Sequence, residues 1–281
     1  MEYQIKTADL DEIRIMLEWA RIEGWNPGLD DASTFQKADP SGFFIGYLNG
    51  APVAAISNVR YSSEFSFLGL YIVKPEFRGL GLGYKIWQHA LNYSAGAACG
   101  LDGVVEQQAN YVKSGFKLEQ RNIRYSLTKN AIRNYNDTNL KMVDLLNLQI
   151  VLTYDADFFP AKRDKFLTAW LLAPHAKSFA YLVNNEIQGY GVIRKCSNGY
   201  KIGPLFADKQ EVAMALFQGL CSSVAQNQSI FLDIPESNLK AKELVDHFKM
   251  DSIFETARMY TQPIGDISMS RTYGITSFEL G

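Results

Sequence analysis

The residues with the clearest chemical use lie between Leu70 and Tyr84, in the sequence LYIVKPEFRGLGLGY. An apolar run of strand character ends at Val73, and Pro75 turns the chain because a proline cannot donate to a sheet. One arginine and three glycines precede a helical pattern, namely Arg78, Gly79, Gly81 and Gly83. Glycines let a backbone approach a ligand closely, and the first N–H groups of a helix have no partner within the helix. This order of strand, loop and helix therefore predicts a site for a phosphate or pyrophosphate.

Three known phosphate-binding loops share this order of elements. The Walker loop, GxxxxGK[ST], does not fit because Tyr84 stands where its second glycine is required. The dinucleotide loop, GxGxxG, fails at the same residue, and about seventy residues precede a loop that usually follows the first strand of its fold. The third pattern, R-x-x-G-x-G, is matched in full by Arg78, Gly81 and Gly83. A solvent loop that needs flexible glycines is the alternative use of such residues.

The same hexad, preceded by YIVKPEFR, resembles motif A of the GNAT superfamily of N-acetyltransferases. In that family the motif binds the pyrophosphate of acetyl-CoA, the preceding strand pairs with the pantetheine arm, and a backbone N–H near residues 70–72 would bind the oxyanion. The cofactor-binding residues that this resemblance implies are Leu70, Ile72, Val73, Arg78, Gly79, Leu80, Gly81, Leu82, Gly83 and Tyr84. Arg78 is expected beside the phosphates.

Amide formation from a thioester needs a neutral amine, a donor for the oxyanion and a proton for the departing thiolate. For the last task Tyr111 stands out, because YVKSGF resembles the GNAT motif Y-x-K-x-G-F, whose tyrosine acts as general acid. A tyrosine packed in the core is the alternative. Many family members carry an asparagine seven residues before that tyrosine, where this chain has Val104. Its contacts are therefore absent or moved to Gln107 or Asn110.

The general base is not fixed by any motif. Glu106 is the first candidate because its strand end faces the acetyl group in the family, ahead of Glu64, Asp102 and a chain of waters. The loop of Trp25 and Asn26 is expected to border the acceptor, although Trp25 is equally suited to plug the core.

The elements that must position these residues follow the GNAT order. The first half reads as β-α-α-β-β-β-α-β-α-β, which implies the α/β (α+β) GNAT fold, a mixed and mostly antiparallel sheet flanked by helices. The second half repeats this outline, but residues 203–208 stand in place of the phosphate loop without its arginine or glycines. The whole chain, with its ending RTYGITSFELG, resembles a two-domain GNAT subgroup. We expect a catalytic domain at 1–128, a linker at 129–140 and a degenerate GNAT-like domain at 141–281.

Composition limits the partners and the compartment. The net charge is −2, which does not indicate nucleic-acid binding, and no run of 18 apolar residues predicts a membrane span. Three distant cysteines and an N-terminus without a signal peptide predict a cytoplasmic protein. The three histidines show no metal-ligand spacing, so no metal is expected.

The predicted function is N-acetyl transfer from acetyl-CoA to a primary amine of a small molecule or peptide, by direct attack in a ternary complex. The alternatives are a CoA-binding sensor without turnover and a purely structural interaction protein. The protein is expected to be a monomer or a homodimer.

Overall fold

The first half of the molecule has the predicted order of elements. The computed structural model describes residues 2–128 and 130–281. The elements of the first half are β1 (Tyr3–Thr7), α1 (Leu10–Ile22), α2 (Asp31–Ala38), β2 (Phe43–Leu48), β3 (Ala51–Arg60), β4 (Phe65–Val73), α3 (Leu82–Tyr93), β5 (Ala98–Val104), α4 (Gln108–Lys113) and β6 (Lys117–Leu127).

The second half repeats this order and adds a short strand, β13, after it. Its elements are β7 (Leu140–Met142), α5 (Leu148–Asp155), α6 (Asp164–Leu171), β8 (Ala176–Val183), β9 (Glu186–Lys195), β10 (Tyr200–Ala207), α7 (Gln210–Ser222), β11 (Ile230–Pro235), α8 (Leu239–His247), β12 (Asp251–Tyr260) and β13 (Thr272–Gly274). Residues 203–207, at the position that corresponds to the phosphate loop of the first half, belong to β10, and only Asp208 and Lys209 connect that strand to α7.

Local sequence signals explain several of these boundaries. Helix α1 begins at a capping box, in which the Asp9 carboxylate accepts from the Glu12 N–H at 2.9 Å and the Glu12 carboxylate accepts from the Asp9 N–H at 2.8 Å. Asn49 and Gly50 join β2 to β3 with φ of 50° and 84°. Two positive φ values in succession suit the right-handed twist of a hairpin, which is why Asn-Gly is favoured there.

All the strands of the described residues form one mixed sheet that joins the two halves. Its order is β1-β2-β3-β4-β5-β12-β6-β11-β10-β9-β8-β7, and β13 pairs with β10 outside this path. Strand β12 of the second half therefore lies between β5 and β6 of the first, and β6 lies between β12 and β11. The chain division expected at 129–140 is thus not a break in the sheet.

Two buried ion pairs mark an approximate two-fold relation at this junction. On β6, Arg124 is paired with Asp233 of β11, and on β12, Arg258 is paired with Asp102 of β5. Both pairs join directly opposed residues of neighbouring strands, and both flank the opposed pair of Asn122 and Thr256. Removing one partner of such a pair leaves an uncompensated buried charge, so each pair holds its strands in register.

The helices cover both faces of the sheet. On one face α1, α2, α5 and α6 contribute to a single apolar core that contains Phe35 of the first half and Trp170 of the second. On the other face, α3 covers the first half with Ile86 and Trp87, and α7 covers the second half with Leu216 and Phe217. Within residues 2–128 and 130–281, no helix is long and apolar enough to cross a membrane.

The sheet opens between β4 and β5. These parallel strands pair only from Phe65 opposite Ala98 to Leu68 opposite Leu101. Beyond that point the β3–β4 register shifts, and Leu70 has a φ of 49°. This is a bulge, which bends β4 and turns its backbone groups away from the ladder. The bulge therefore produces a wedge at the carboxyl ends of β4 and β5.

Candidate active site

A cavity of about 580 Å³ occupies the wedge between β4 and β5. Its walls come from the end of β4, the loop before α3, the end of β5 and the start of α4. Residues of β6 and β12 and of the segment after β13 line it as well. Both halves of the chain thus contribute to one site.

The predicted phosphate loop lies at this cavity with open space at its glycines. Gly79 and Gly81 have φ of 80° and 75°, and a Cβ on either would meet no atom within 4 Å. A Cβ on Gly83 would lie 2.6 Å from the Tyr71 hydroxyl oxygen and 2.9 Å from the Val73 methyl, so glycine is needed there for packing of α3 on β4. The loop is therefore accessible to a ligand where the motif requires it.

The start of α3 presents free backbone donors at the same place. Its first intrahelical bond runs from the Lys85 N–H to the Gly81 carbonyl, at 3.3 Å. The N–H groups of residues 82–84 thus have no partner within the helix, and the helix dipole adds positive potential around them. Gly79, Gly81, Gly83 and Tyr84 line the cavity, whereas Leu80 is exposed and Leu82 is buried in the core.

Arg78 lies at the cavity, where two contacts fix its side chain. Its Nε donates to the Val73 carbonyl at 2.8 Å, and its Nη2 is 2.5 Å from Oε1 of Glu23. The guanidinium is half-exposed, so it remains available to an anion at this position. The other predicted cofactor-binding residues, Leu70, Ile72 and Val73, line the cavity along β4.

Tyr111 lies deeper in the same cavity and is only 7% exposed. Its ring stacks on Trp87 with centroids 5.6 Å apart and covers Gly103, where a Cβ would overlap the tyrosine ring. Burial, with smaller contributions from Tyr71 and Glu106, raises the pKa of Tyr111 to about 12. The phenol is therefore protonated at neutral pH and can donate.

Val104, where many members of the family carry an asparagine, lines the cavity. Gln107, one of the two residues predicted to replace the contacts of that asparagine, lines it too. The Asn110 amide donates to Oε1 of Gln107 at 2.8 Å, and its carbonyl accepts from Lys113 at 3.1 Å. Of the two predicted substitutes, Gln107 is thus the one at the cavity.

The three predicted bases are placed poorly for that role. Glu106 and Glu64 are exposed, and neither belongs to the cavity lining. Asp102 does line the cavity, but its carboxylate is paired with Arg258 and accepts from the Asn122 amide at 2.8 Å. Glu106 thus lies outside the cavity lining, although it is close enough to Tyr111 to contribute to the raised pKa of that phenol.

Of the two residues predicted to border the acceptor substrate, only Trp25 lines the cavity. The Trp25 carbonyl accepts from Arg124 at 3.2 Å and from Lys201 at 3.3 Å, which fixes the loop to β6 and β10. The Asn26 side chain exchanges two hydrogen bonds of 2.8 Å with the backbone of Asn198. It is thus occupied by a contact with the second half and turned away from the main cavity.

The sequence analysis missed two residues of the final segment, Phe278 and Glu279. Both line the cavity and both are buried, at 8% and 4% exposure. The Phe278 ring lies 4.7 Å from the Arg124 guanidinium, and the Glu279 carbonyl packs against Gly69, where a Cβ would clash. The only signal in the sequence was the segment's resemblance to other tandem chains, which gives no position in space.

Among the described residues, no group of three or more His, Cys, Asp and Glu side chains is placed to hold a metal ion.

Comparison with known families gives two matches, one in each half. Residues 10–116 match the acetyltransferase (GNAT) family, and residues 151–274 match an acetyltransferase (GNAT) domain. A protein named holothin acyltransferase, from Pseudoalteromonas sp. (strain SANK 73390), is 31% identical over 278 residues, which span 98% of this chain and 94% of that protein. The similarity therefore extends over both halves and the final segment.

Solved structures share the fold over nearly the whole chain. A putative acetyltransferase from Pyrococcus horikoshii has a TM-score of 0.84 at 23% identity, covering 99% of this chain and 96% of that one. A tandem GNAT protein from the clavulanic acid biosynthesis pathway has a TM-score of 0.64 at 9% identity, covering 94% and 100% of the two chains. At these identities the likeness concerns the fold, including its arrangement as two similar halves.

Proposed function

Because this chain belongs to the GNAT family and carries two such domains in tandem, we propose that it is an acetyl-CoA-dependent N-acetyltransferase. The acceptor in this proposal is a primary amine of a small molecule or peptide, which attacks the thioester directly. One observation carries the proposal: the start of α3, where residues 83 and 84 have free N–H groups, and the protonated phenol of Tyr111 line a single cavity.

The wedge suits the shape of the donor substrate. The pyrophosphate is held by the start of α3 and by Arg78, and the pantetheine arm lies along β4, where the bulge at Leu70 frees backbone groups. A backbone N–H near Leu70 then faces the thioester carbonyl. Residues 79 and 81 have no side chain in the way, as a phosphate approached by backbone amides requires.

The reaction runs as an addition followed by an elimination. The amine nitrogen attacks the acetyl carbonyl carbon, the new C–N bond forms, and the oxygen takes negative charge near the bulge. The amine loses a proton, the C–S bond breaks, and the thiolate of CoA takes the phenolic proton of Tyr111. Tyr111 is later reprotonated from solvent.

The two halves have different roles in this proposal. Residues 1–128 provide the acetyl-CoA site, 129–140 connect the halves, and 141–281 are a degenerate domain without CoA chemistry. Supporting this division, β13 pairs with β10 through Leu205 and Phe206, beyond the point where β10 leaves β11. The chain itself thus fills the wedge that would correspond to the acetyl-CoA site.

A CoA-binding sensor without turnover is the second candidate. It is favoured by the exposure of Glu106 and by Val104 in place of the family asparagine. Product formation separates the two candidates. Since one relative is named for acylating holothin, holothin is the first acceptor to assay, followed by a panel of primary amines. Formation of an acetylated product with release of CoA thiol supports the enzyme, and binding without release supports the sensor.

The loop assignment is tested by Gly81→Val. Valine resists the φ of 75° at this position, and its branched side chain blocks the approach of phosphate. We expect acetyl-CoA binding to be lost in calorimetry while the protein stays folded. Gly96→Val is the matched control, because Gly96 has a φ of 92° and equally open surroundings but lies outside the cavity lining. Unchanged acetyl-CoA affinity in Gly81→Val would refute the loop assignment.

A further inference from the structure

The segment after β13 passes from the second half into the cavity of the first and is held along its path. The Ile275 N–H donates to the Asp233 carbonyl at 2.9 Å, and the Tyr61 hydroxyl donates to the Leu280 carbonyl at 2.9 Å. Between these points, the Leu280 N–H donates to the Ser277 hydroxyl at 3.0 Å. The side chains of residues 278 and 279 therefore have fixed positions.

Glu279 has an unusual polar environment for a buried carboxylate. It is 4% exposed and lines the cavity, yet its Oε2 is buried with no hydrogen-bond partner in the described part of the chain. Buried polar atoms are normally paired, so this carboxylate keeps unused hydrogen-bonding capacity beside the cavity.

Three cations surround Glu279, and two of them have a carboxylate partner of their own. Arg124, Arg194 and Lys201 are the cations around it, and Asp233 and Asp31 pair with the two arginines. Within the described residues, no carboxylate is in hydrogen-bond contact with Lys201. Burial lowers the pKa of Lys201, and the positive charge of Arg124 lowers it further. The negative charge of Glu279 acts in the opposite direction and raises that pKa. The negative charge of Glu279 thus balances the third cation of this cluster.

Glu279 also lies beside the reacting end of the site. Its carbonyl packs on Gly69, the residue before the bulge at Leu70, where the thioester is expected. The aromatic rings of Trp25, Phe254 and Phe278 line the same part of the cavity. They exclude water and favour an acceptor with a flat, apolar body next to its amine.

We propose that the carboxylate of Glu279, supplied by the degenerate second half, binds the acceptor's amine and takes its proton as nitrogen attacks the acetyl carbon. This inference rests on the proposed function. The amine N–H donates to the carboxylate of Glu279, the C–N bond forms, and the proton moves to that carboxylate. The C–S bond then breaks, the thiolate takes the proton of Tyr111, and Glu279 returns its proton to solvent. The acceptor class is an uncharged or weakly basic amine on a flat apolar body.

The test compares Glu279→Gln and Glu279→Asp with the wild-type chain. Glutamine keeps the shape but cannot take a proton, so turnover should fall by about 10²- to 10⁴-fold while acetyl-CoA affinity is unchanged. Aspartate keeps the negative charge beside Lys201, so thermal stability should be retained. Its side chain is one methylene shorter, so the carboxylate lies farther from the reacting amine and turnover should still fall.

A counter-ion role for Glu279 predicts different results. It predicts a lower melting temperature and unchanged turnover in Glu279→Gln, and full activity in Glu279→Asp. In the double variant Glu279→Gln/Lys201→Met the unbalanced charge is removed, so stability should return without activity if the inference is right. Glu236→Gln, an exposed residue outside the cavity, is the matched control and should behave as wild type.

Failure of this inference is distinguishable from failure of the proposed function. If the wild-type chain acetylates no amine, both are overturned. If it acetylates holothin or another amine and Glu279→Gln does so at the same rate, only the role of Glu279 is overturned. A loss of activity in Glu106→Gln with an active Glu279→Gln would restore Glu106 as the base.

Discussion

At the scale of single residues, the buried phenol of Tyr111 gives the most direct test of the mechanism. Tyr111→Phe keeps the ring stacked on Trp87 and removes only the hydroxyl. The free energy of unfolding should change by no more than about 1 kcal/mol, the net value of a typical hydrogen bond. Turnover should fall by about 10²- to 10⁴-fold, as expected for loss of a general acid. A thermal melt, an acetyl-CoA titration and a thiol-release assay measure the three quantities.

The pH dependence of wild-type turnover supplies a second test of Tyr111. Since the pKa of Tyr111 is raised to about 12, its acid form is present throughout the neutral range and is lost only as the pH approaches that value. Wild-type turnover should therefore show no alkaline decline from this group below about pH 10, a range set by its unperturbed pKa. Full activity of Tyr111→Phe would remove the residue from the mechanism and leave water as the proton source.

At the scale of elements, β13 leads to a prediction for the stoichiometry of acetyl-CoA binding. It occupies the edge of β10 that corresponds to the edge of β4 where we propose that the pantetheine arm lies. We expect one acetyl-CoA per chain in calorimetry, because the second wedge is filled by a covalently attached strand. A stoichiometry of two would contradict this reading of β13.

Local patterns in the sequence were enough to predict most elements. The end of β4 at Val73 was predicted correctly because Pro75 follows it, and the order of elements in the first half was predicted correctly as well. The glycine loop and Tyr111 were likewise identified from motifs, and the structure places both at one cavity. What these features share is that the determining residues are adjacent in the chain.

Features that depend on distant residues were not predictable in this way. The pairing of β12 with β5 and β6 depends on buried contacts such as the ion pair of Arg258 with Asp102. The sequence around either residue does not indicate that the other is its partner. For the same reason Asp102 looked available as a base. Glu279 was missed because its importance comes from packing on Gly69, which is far away in the chain.

At the scale of the whole molecule, the continuous sheet predicts that the two halves unfold together. One apolar core contains Phe35 of α2 and Trp170 of α6, whose rings stack 6.0 Å apart, so neither half can lose its structure alone. Pulsed hydrogen exchange in urea should show β3 and β9 losing protection at the same denaturant concentration. Two separated midpoints would instead identify 1–128 and 141–281 as independently stable domains.

Because β12 lies between β5 and β6, the sheet of the first half is incomplete until the second half has been synthesised. The ribosome must add roughly 130 residues after β6 before β12 is complete, which at 5–20 residues per second takes about 7–26 s. During that interval the emerging first half presents three unpaired strand edges, one of β5 and both of β6, to other nascent chains. The wedge between β4 and β5 is therefore completed last, because residues of β12 and of the segment after β13 line it. The nascent first half is exposed to aggregation until its second half has been synthesised.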